Sequence, residues 1–332
     1  MHRALWGGLG AAALGLVGCG AAPHAGAAAS PPNGRLSVMG FYAAGDHVDL
    51  SAVLRHPQSI GVFVPFWYSV EANGSLKSHL DPQVLAEVRR AGIPITPLVN
   101  DGTARQAFLN SPWTRFETAR NIADIVGTEH FQGVNIDFEP PVNRDREQLV
   151  AFLIDLRDML PRRDTITLSI VPNSGGAYDF AKLKREVNQF VLMSYDLHDD
   201  GSPAGPVAPV PWVENVLHRL LALVPARQIY LGIPLYGYVW PVGSTHAATI
   251  PYSAVTPAMT AHAQWNGRYD ETEARFTSGG TPYVAWWESL QGINEKIQLA
   301  RRDHLAGVAL WRLGYQTEAV VQLLLHQIGP QR

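Results

Sequence analysis

The heptapeptide GVNIDFE, residues 133–139, alternates polar and apolar side chains. Side chains of a β-strand point to opposite faces with a period of two, so Asn135, Asp137 and Glu139 share one face. The apolar residues between them share the other face, which can pack beneath helices. A polar row in an apolar interior is costly unless its members hydrogen-bond one another or do chemistry. The stretch therefore predicts a strand of an α/β fold with a chemically active inner face.

Similar short apolar runs alternate with amphipathic helical stretches from residue 35 onward, which is the pattern of repeated βα units around a parallel sheet. Eight such units with right-handed crossovers predict a closed (β/α)8 TIM barrel, with a doubly wound open sheet as the alternative. The predicted strands span residues 36–42, 59–66, 95–99, 133–139, 165–171, 190–195, 229–236 and 307–312.

Three intervening helices have recognisable ends. Asp81 can cap a helix that has Pro82 at its first position and Gly92 after its last turn. Two more helices are predicted at residues 145–160 and 212–224, where apolar residues recur at helical spacing and a proline follows.

The barrel is expected to occupy residues 35–332 as one catalytic domain, since 332 residues with 46% hydrophobic content can bury a large core. About residues 241–285, between the seventh and eighth strands, lack helical periodicity and predict a small insertion. A formal net charge of -3 offers no basic surface to a nucleic-acid backbone. We expect no nucleic-acid partner and a monomeric chain.

The N-terminal residues have the character of an export segment. An apolar run at residues 4–17 follows a positively charged start and is short for a bilayer span. Cys19, the only cysteine, ends the tetrapeptide LVGC, which resembles the lipobox of bacterial lipoproteins and implies acylation of that cysteine. We expect a signal peptide at residues 1–18, a flexible tether at 19–34 and a lipoprotein anchored to a membrane of the cell envelope. A plain secretory signal or a buried free thiol is the alternative.

The polar row ends at Glu139, which Pro140 and Pro141 follow. Active sites of such barrels form at the C-terminal mouth, so we expect Glu139 to project there. The segment resembles the active-site strand of glycoside hydrolase family 18, in which Asp or Asn, Gly, a hydrophobic residue, Asp or Asn, a hydrophobic residue, Asp, any residue and Glu follow one another. Gln132 departs from this pattern, and Asn135 takes the amide option, which removes a like charge near Asp137.

The resemblance extends along the chain. The tetrapeptide MSYD at 193–196 looks like the family's sixth-strand motif, and Trp311 looks like its last-strand tryptophan. The segments GPVAP at 205–209, LGIPLYG at 231–237 and GVALWR at 307–312 look like the branch of spore-cortex-lytic N-acetylglucosaminidases. This likeness ranks peptidoglycan above chitin as the expected substrate.

The resemblance implies a glycosidase that needs no cofactor and no metal. Glu139 would protonate the leaving oxygen while the substrate's own 2-acetamido carbonyl attacks the anomeric carbon. Asp137 would hold the acetamido N–H, and Tyr195 would orient the acetamido oxygen. Because Glu139 must carry a proton near neutral pH, we predict that burial and the Asp137 charge raise its pKa.

Six further side chains, named at the end of this paragraph, are candidates for substrate binding. The aromatic residues among them lie near strand ends and could equally be part of the hydrophobic core. A chitinase and a barrel that only binds glycans are the alternative functions, and the retained Glu139 argues against the second. The tripeptide HDD at 198–200 lacks a partner at metal-ligand spacing and predicts a solvated loop. The candidates for substrate binding are Asn135, Met193, Asp196, Trp311, Tyr42 and Tyr236.

Overall fold

The computed structural model describes residues 35–44, 49–102, 106–139 and 143–331. The predicted signal peptide, tether and lipidation site at Cys19 lie outside the described residues, as do Pro140 and Pro141. Among the helices described, none combines the length and the apolar character that crossing a bilayer requires.

Eight parallel strands close into a barrel, which confirms the predicted fold. Closure follows from the first strand, which pairs with both the second and the last strand of the barrel. The barrel strands are β1 (Ser37–Tyr42), β2 (Val62–Val70), β4 (Leu98–Asn100), β5 (Gly133–Asp137), β6 (Thr165–Ile170), β7 (Gln189–Leu192), β8 (Ile229–Pro234) and β14 (Gly307–Trp311), and β3 (Leu76–Ser78) forms an antiparallel hairpin with β2.

Three strands, β2, β4 and β7, differ from their predicted bounds by three residues or more, and β4 begins at Leu98 instead of residue 95. β2 begins at Val62 because Pro57–Ser59 forms a turn of 3-10 helix, for which Pro57 supplies the fixed backbone angle. β7 ends at Leu192. The N–H of Met193 still donates to the carbonyl oxygen of Ile170 in β6 at 3.0 Å, so residues 194 and 195 are the first beyond the sheet hydrogen bonds at the mouth.

Helices surround the barrel. Asp81 caps the second helix as predicted, because its carboxylate accepts hydrogen bonds from the backbone N–H groups of Gln83 and Val84 at 2.8 and 3.2 Å. The sixth helix begins at Val210, two residues before its predicted start at 212. The helices are α1 (Ser51–Arg55), α2 (Pro82–Arg90), α3 (Pro112–Thr128), α4 (Arg146–Met159), α5 (Phe180–Glu186), α6 (Val210–Leu221), α7 (Pro257–Ala261), α8 (Leu290–Arg302) and α9 (Glu318–Gln327).

A five-stranded antiparallel sheet is inserted between β8 and α8. It runs from Tyr236 to Trp287 and is wider than the predicted 241–285, because the chain enters a new strand directly after β8. We call this part the inserted subdomain. Its strands are β9 (Tyr236–Pro241), β10 (Ala248–Pro251), β11 (Ala263–Asn266), β12 (Glu271–Ser278) and β13 (Thr281–Trp287).

The apolar face of β5 anchors the site strand against the outer helices. Val134, Ile136 and Phe138 are at most 3% exposed. The Phe138 ring lies 5.1 Å from Phe108 and 5.4 Å from Phe152, which belongs to α4. Burial of each such side chain contributes about 1.5–3 kcal/mol, so the alternation in the heptapeptide fixes which face of β5 points inward.

Candidate active site

A cavity of about 460 Å³ opens at the mouth of the barrel. Its walls come from residues at or just after the carboxyl ends of β5, β6, β7 and β14, where barrel enzymes carry their sites. The lining residues are Asp137, Glu139, Val171, Pro172, Asn173, Met193, Tyr195, Asp196, Leu197, Trp212 and Trp311.

Asp137 and Glu139 lie side by side in this wall. Asp137 is the last residue of β5 and is 7% exposed, whereas Glu139 stands two residues further on and faces solvent. The two carboxyl groups share a hydrogen bond. The Oδ1 atom of Asp137 is buried and has no hydrogen-bond partner among the described residues. The pair therefore presents an unused acceptor beside an exposed acid.

Burial raises the pKa of Asp137 well above its usual range, and the charge of Glu139 and the hydrogen bond between the two groups raise it further. Desolvation also raises the pKa of Glu139, and the charges of Asp101 and Asp196 raise it further. The hydrogen bond from Asp137 acts in the opposite sense and lowers the pKa of Glu139. The pKa of Glu139 is therefore raised, as predicted. The predicted contribution of Asp137 has the wrong sign, because Asp137 donates a hydrogen bond to Glu139 instead of acting on it as a negative charge.

Tyr195 and Met193 line the cavity after the end of β7. Burial and the charges of Asp137 and Asp196 raise the pKa of Tyr195 well above its usual range. Its hydroxyl therefore stays protonated and can donate a hydrogen bond into the cavity.

Asp196 lines the cavity in a left-handed conformation with φ of 59°. Its Oδ1 atom accepts hydrogen bonds from the hydroxyl groups of Tyr236 at 2.6 Å and Tyr238 at 3.0 Å. Tyr236, predicted to bind substrate, is 3% exposed and absent from the cavity wall. The hydroxyl of Tyr236 holds Asp196, and a contact of Tyr236 with substrate stays a prediction.

Asn135 and Tyr42, also predicted to bind substrate, lie away from the cavity wall. Asn135 is fully buried, with its amide donating to the Thr167 hydroxyl at 2.8 Å and accepting from the Ser169 hydroxyl at 3.2 Å. Tyr42 is 6% exposed and packs on Phe63 with 5.4 Å between ring centroids. Asn135 stands two residues, or about 7 Å, deeper along the barrel than Asp137. Contacts of Asn135 and Tyr42 with substrate stay predictions.

Aromatic rings bound the cavity on two sides. Trp311, which the sequence predicts to bind substrate, lines it and packs on Phe41 with ring centroids 5.9 Å apart. Trp212, which the sequence marked only as a helix residue, lines it from the start of α6. Asp101, directly after β4, was also missed, although an acid at a strand end was a usable signal.

The predicted loop at residues 198–200 joins β7 to α6. His198 contacts the carbonyl oxygen of Pro203 at 2.9 Å, and Asp200 accepts from the backbone N–H of Ala247 at 2.9 Å. Among the described residues, no three or more His, Cys, Asp or Glu side chains are grouped as metal ligands would be.

Comparison with known proteins gives consistent matches. Residues 95–316 match the family model described as Glycosyl hydrolases family 18. A Bacillus subtilis protein named sporulation-specific glycosylase YdhD is 30% identical over 75% of this chain and 64% of its own length. The cortical fragment-lytic enzyme of Bacillus subtilis is 30% identical over 65% of this chain and 52% of its own length. The chain thus spans between half and two thirds of these relatives.

Solved structures share the fold. The spore cortex-lytic enzyme SleL of Bacillus cereus superposes with a TM-score of 0.81 at 18% identity, covering 88% of this chain and 74% of that one. A chitinase from Chromobacterium violaceum superposes with a TM-score of 0.80 at 22% identity, covering 88% of this chain and 98% of that one. At these identities the likeness concerns the fold alone.

Proposed function

This chain belongs to the glycosyl hydrolases family 18, and we propose that it hydrolyses β-1,4 bonds next to N-acetylglucosamine in peptidoglycan. The observation that carries the proposal is the hydrogen-bonded pair of Asp137 and Glu139 in the wall of an open cavity. Two acids with raised pKa values at a barrel mouth suit proton transfer to a sugar leaving group.

The proposed reaction uses the substrate's acetamido group as nucleophile. Glu139 gives its proton to the glycosidic oxygen as that bond breaks, and the acetamido oxygen bonds to the anomeric carbon. Water then opens the resulting oxazolinium ring and returns a proton to Glu139, which leaves the anomeric configuration retained.

Asp137 and Tyr195 are proposed to position the acetamido group. The unpartnered Oδ1 atom of Asp137 can accept the acetamido N–H, and the protonated hydroxyl of Tyr195 can donate to the acetamido oxygen. Turning toward the substrate would release Asp137 from Glu139, which removes a hydrogen bond that lowers the pKa of Glu139. Binding would thereby favour the protonated form of the acid. Trp311 would pack beneath the sugar ring.

Peptidoglycan is proposed as the polymer because the segments at 205–209, 231–237 and 307–312 look like those of cortex-lytic members. A Bacillus subtilis relative named cortical fragment-lytic enzyme is 30% identical to this chain, which supports the same choice.

Digestion of purified peptidoglycan and of chitohexaose, each followed by mass spectrometry, tests the proposal. We expect muropeptides ending in reducing N-acetylglucosamine, and NMR of the first products should detect the β-anomer. Cleavage of chitohexaose alone would identify a chitinase, and binding without any cleavage would identify a glycan-binding barrel.

We also propose that the protein is exported and anchored through acylated Cys19, on the lipobox-like LVGC tetrapeptide. Cells fed a labelled fatty acid should label the wild-type protein and leave the Cys19→Ala variant unlabelled. Label on both proteins, or on neither, would contradict the anchor.

A further inference from the structure

Residues 197–209 form a loop between β7 and α6 that borders the cavity. We call it the cleft loop. Leu197 at its start lines the cavity directly after Asp196. Trp212, three residues past its end, lines the cavity from the other side. The path of the cleft loop therefore sets the position of two parts of the wall.

The inserted subdomain holds the cleft loop at its middle. The N–H of Gly201 donates to the carbonyl oxygen of Thr245 at 2.9 Å. The indole N–H of Trp240 donates to the carbonyl oxygen of Ser202 at 3.1 Å. Both contacts join the loop to the first hairpin of the inserted subdomain.

Glu271, the first residue of β12, holds the far end of the cleft loop. Its fully buried carboxyl group accepts hydrogen bonds from the N–H groups of Val207 at 3.0 Å and Ala208 at 3.3 Å. The carbonyl oxygen of Val207 in turn accepts from the N–H of Leu197 at 2.9 Å. A chain of two hydrogen bonds thus connects Glu271 to a residue of the cavity wall.

A second acid and a cation accompany Glu271. Glu288 at the end of the inserted subdomain and Lys296 of α8 are fully buried, with Nζ and Oε2 2.6 Å apart. Burial and the charge of Glu288 raise the pKa of Glu271 to about 8, while Lys296 and the two backbone N–H groups oppose that rise. Such a buried group is costly, and fixing one arrangement of the backbone is a recognised use for it.

We infer that the inserted subdomain positions the cavity wall, and that Glu271 is the positioning residue through which the cleft loop is held. Tyr236 and Tyr238 of the same subdomain hold Asp196, so one sheet fixes two consecutive residues of the wall, Asp196 and Leu197. The catalytic part of this inference rests on the proposed function.

The test compares Glu271→Leu, which removes the acceptors, with Glu271→Gln, which keeps one. Glu273→Gln is the matched control, because Glu273 lies on the same strand and bonds Asn266 of the neighbouring strand within the inserted subdomain, at 3.1 Å. Each variant is assayed on a soluble N-acetylglucosamine oligomer well below its melting temperature, and hydrogen exchange is followed by mass spectrometry on peptides covering the cleft loop.

We expect Glu271→Leu to speed exchange in the cleft loop at least tenfold and to lower kcat/KM at least tenfold. Glu271→Gln should recover most of the activity, and Glu273→Gln should match the wild type in both measurements. If Glu271→Leu does not fold, Trp240→Phe removes a single hydrogen bond to the loop and should change both quantities about threefold.

Faster exchange with unchanged kcat/KM would overturn the positioning role, as would unchanged exchange. If the wild type hydrolyses no glycan, the proposed function fails. The exchange data then decide by themselves whether Glu271 holds the loop.

Discussion

Two groups of acids with raised pKa values lie near the cleft loop, and they differ in whether a cation of the described residues accompanies them. Asp137 and Glu139 stand near two further acids, Asp101 and Asp196, and among the described residues no Lys, Arg or His lines the cavity. Glu288 instead lies 2.6 Å from Lys296, whose charge opposes the rise in the pKa values of both Glu271 and Glu288.

The presence or absence of a cation distinguishes the group that holds the backbone in place from the candidate active site. Carboxyl groups without a neighbouring cation keep their protons to unusually high pH. Their ionised form destabilises the folded state, whereas the retained proton suits proton transfer in an open cavity. Acids paired with a buried cation and backbone N–H groups instead fix the geometry around them, and removal of one partner is costly.

Asp137→Asn should lower kcat by about 10²–10⁴-fold, since the amide cannot ionise and its oxygen holds the acetamido N–H more weakly than a carboxylate does. The same change should raise the free energy of unfolding at neutral pH. A carboxyl group with a raised pKa in the folded state contributes stability at low pH and loses it as the pH rises through that pKa. Steady-state kinetics and urea denaturation measure the two effects, and a variant that is both active and less stable would contradict the account.

Lys296→Met should lower the free energy of unfolding by about 3–5 kcal/mol, because it leaves two buried acids without their cation. Urea denaturation at pH 7 measures the loss. Adding Glu288→Gln should recover part of it, since one of the stranded charges is then absent. A decrease in the free energy of unfolding below about 1 kcal/mol would show that the ion pair of Glu288 and Lys296 does not stabilise the fold.

Tyr195→Phe should lower kcat about tenfold, which corresponds to one hydrogen bond of about 1.4 kcal/mol, and should leave the fold intact. Kinetics on a soluble oligomer, with the melting temperature as control, measure it. An unchanged kcat would remove Tyr195 from the mechanism.

The smallest expected effect is a pH dependence of stability. The pKa of Glu271 is raised to about 8 in the fold, so its contribution is complete below the ordinary carboxyl range and is lost as the pH rises through about 8. The free energy of unfolding of the wild type should therefore fall between pH 7 and pH 9 more steeply than that of Glu271→Gln. Parallel curves would contradict the assignment.

The barrel could be predicted from the sequence because strand periodicity and turn residues are local. The strands at 165–171 and 307–312 were predicted to within one residue of those observed. The same periodicity placed Asn135 and Asp137 on one face, yet it carries no information about depth, so it could not show that Asn135 lies below the cavity wall and bonds Thr167.

Local sequence patterns do not predict contacts between residues that are far apart in the sequence. Glu271 meets Val207, 64 residues away in sequence, only because the inserted subdomain returns to the barrel beside the cleft loop. Tyr236 and Tyr42 are aromatic residues near strand ends, as stacking residues often are, and only the folded chain separates them from the cavity.

The most direct test of the central claim is the turnover of Glu139→Gln on purified peptidoglycan, with binding measured on the same material. We expect hydrolysis to fall by at least about 10²-fold while binding and the melting temperature stay at wild-type values. Turnover at the wild-type rate would show that the pair of acids at the barrel mouth is not the catalytic centre.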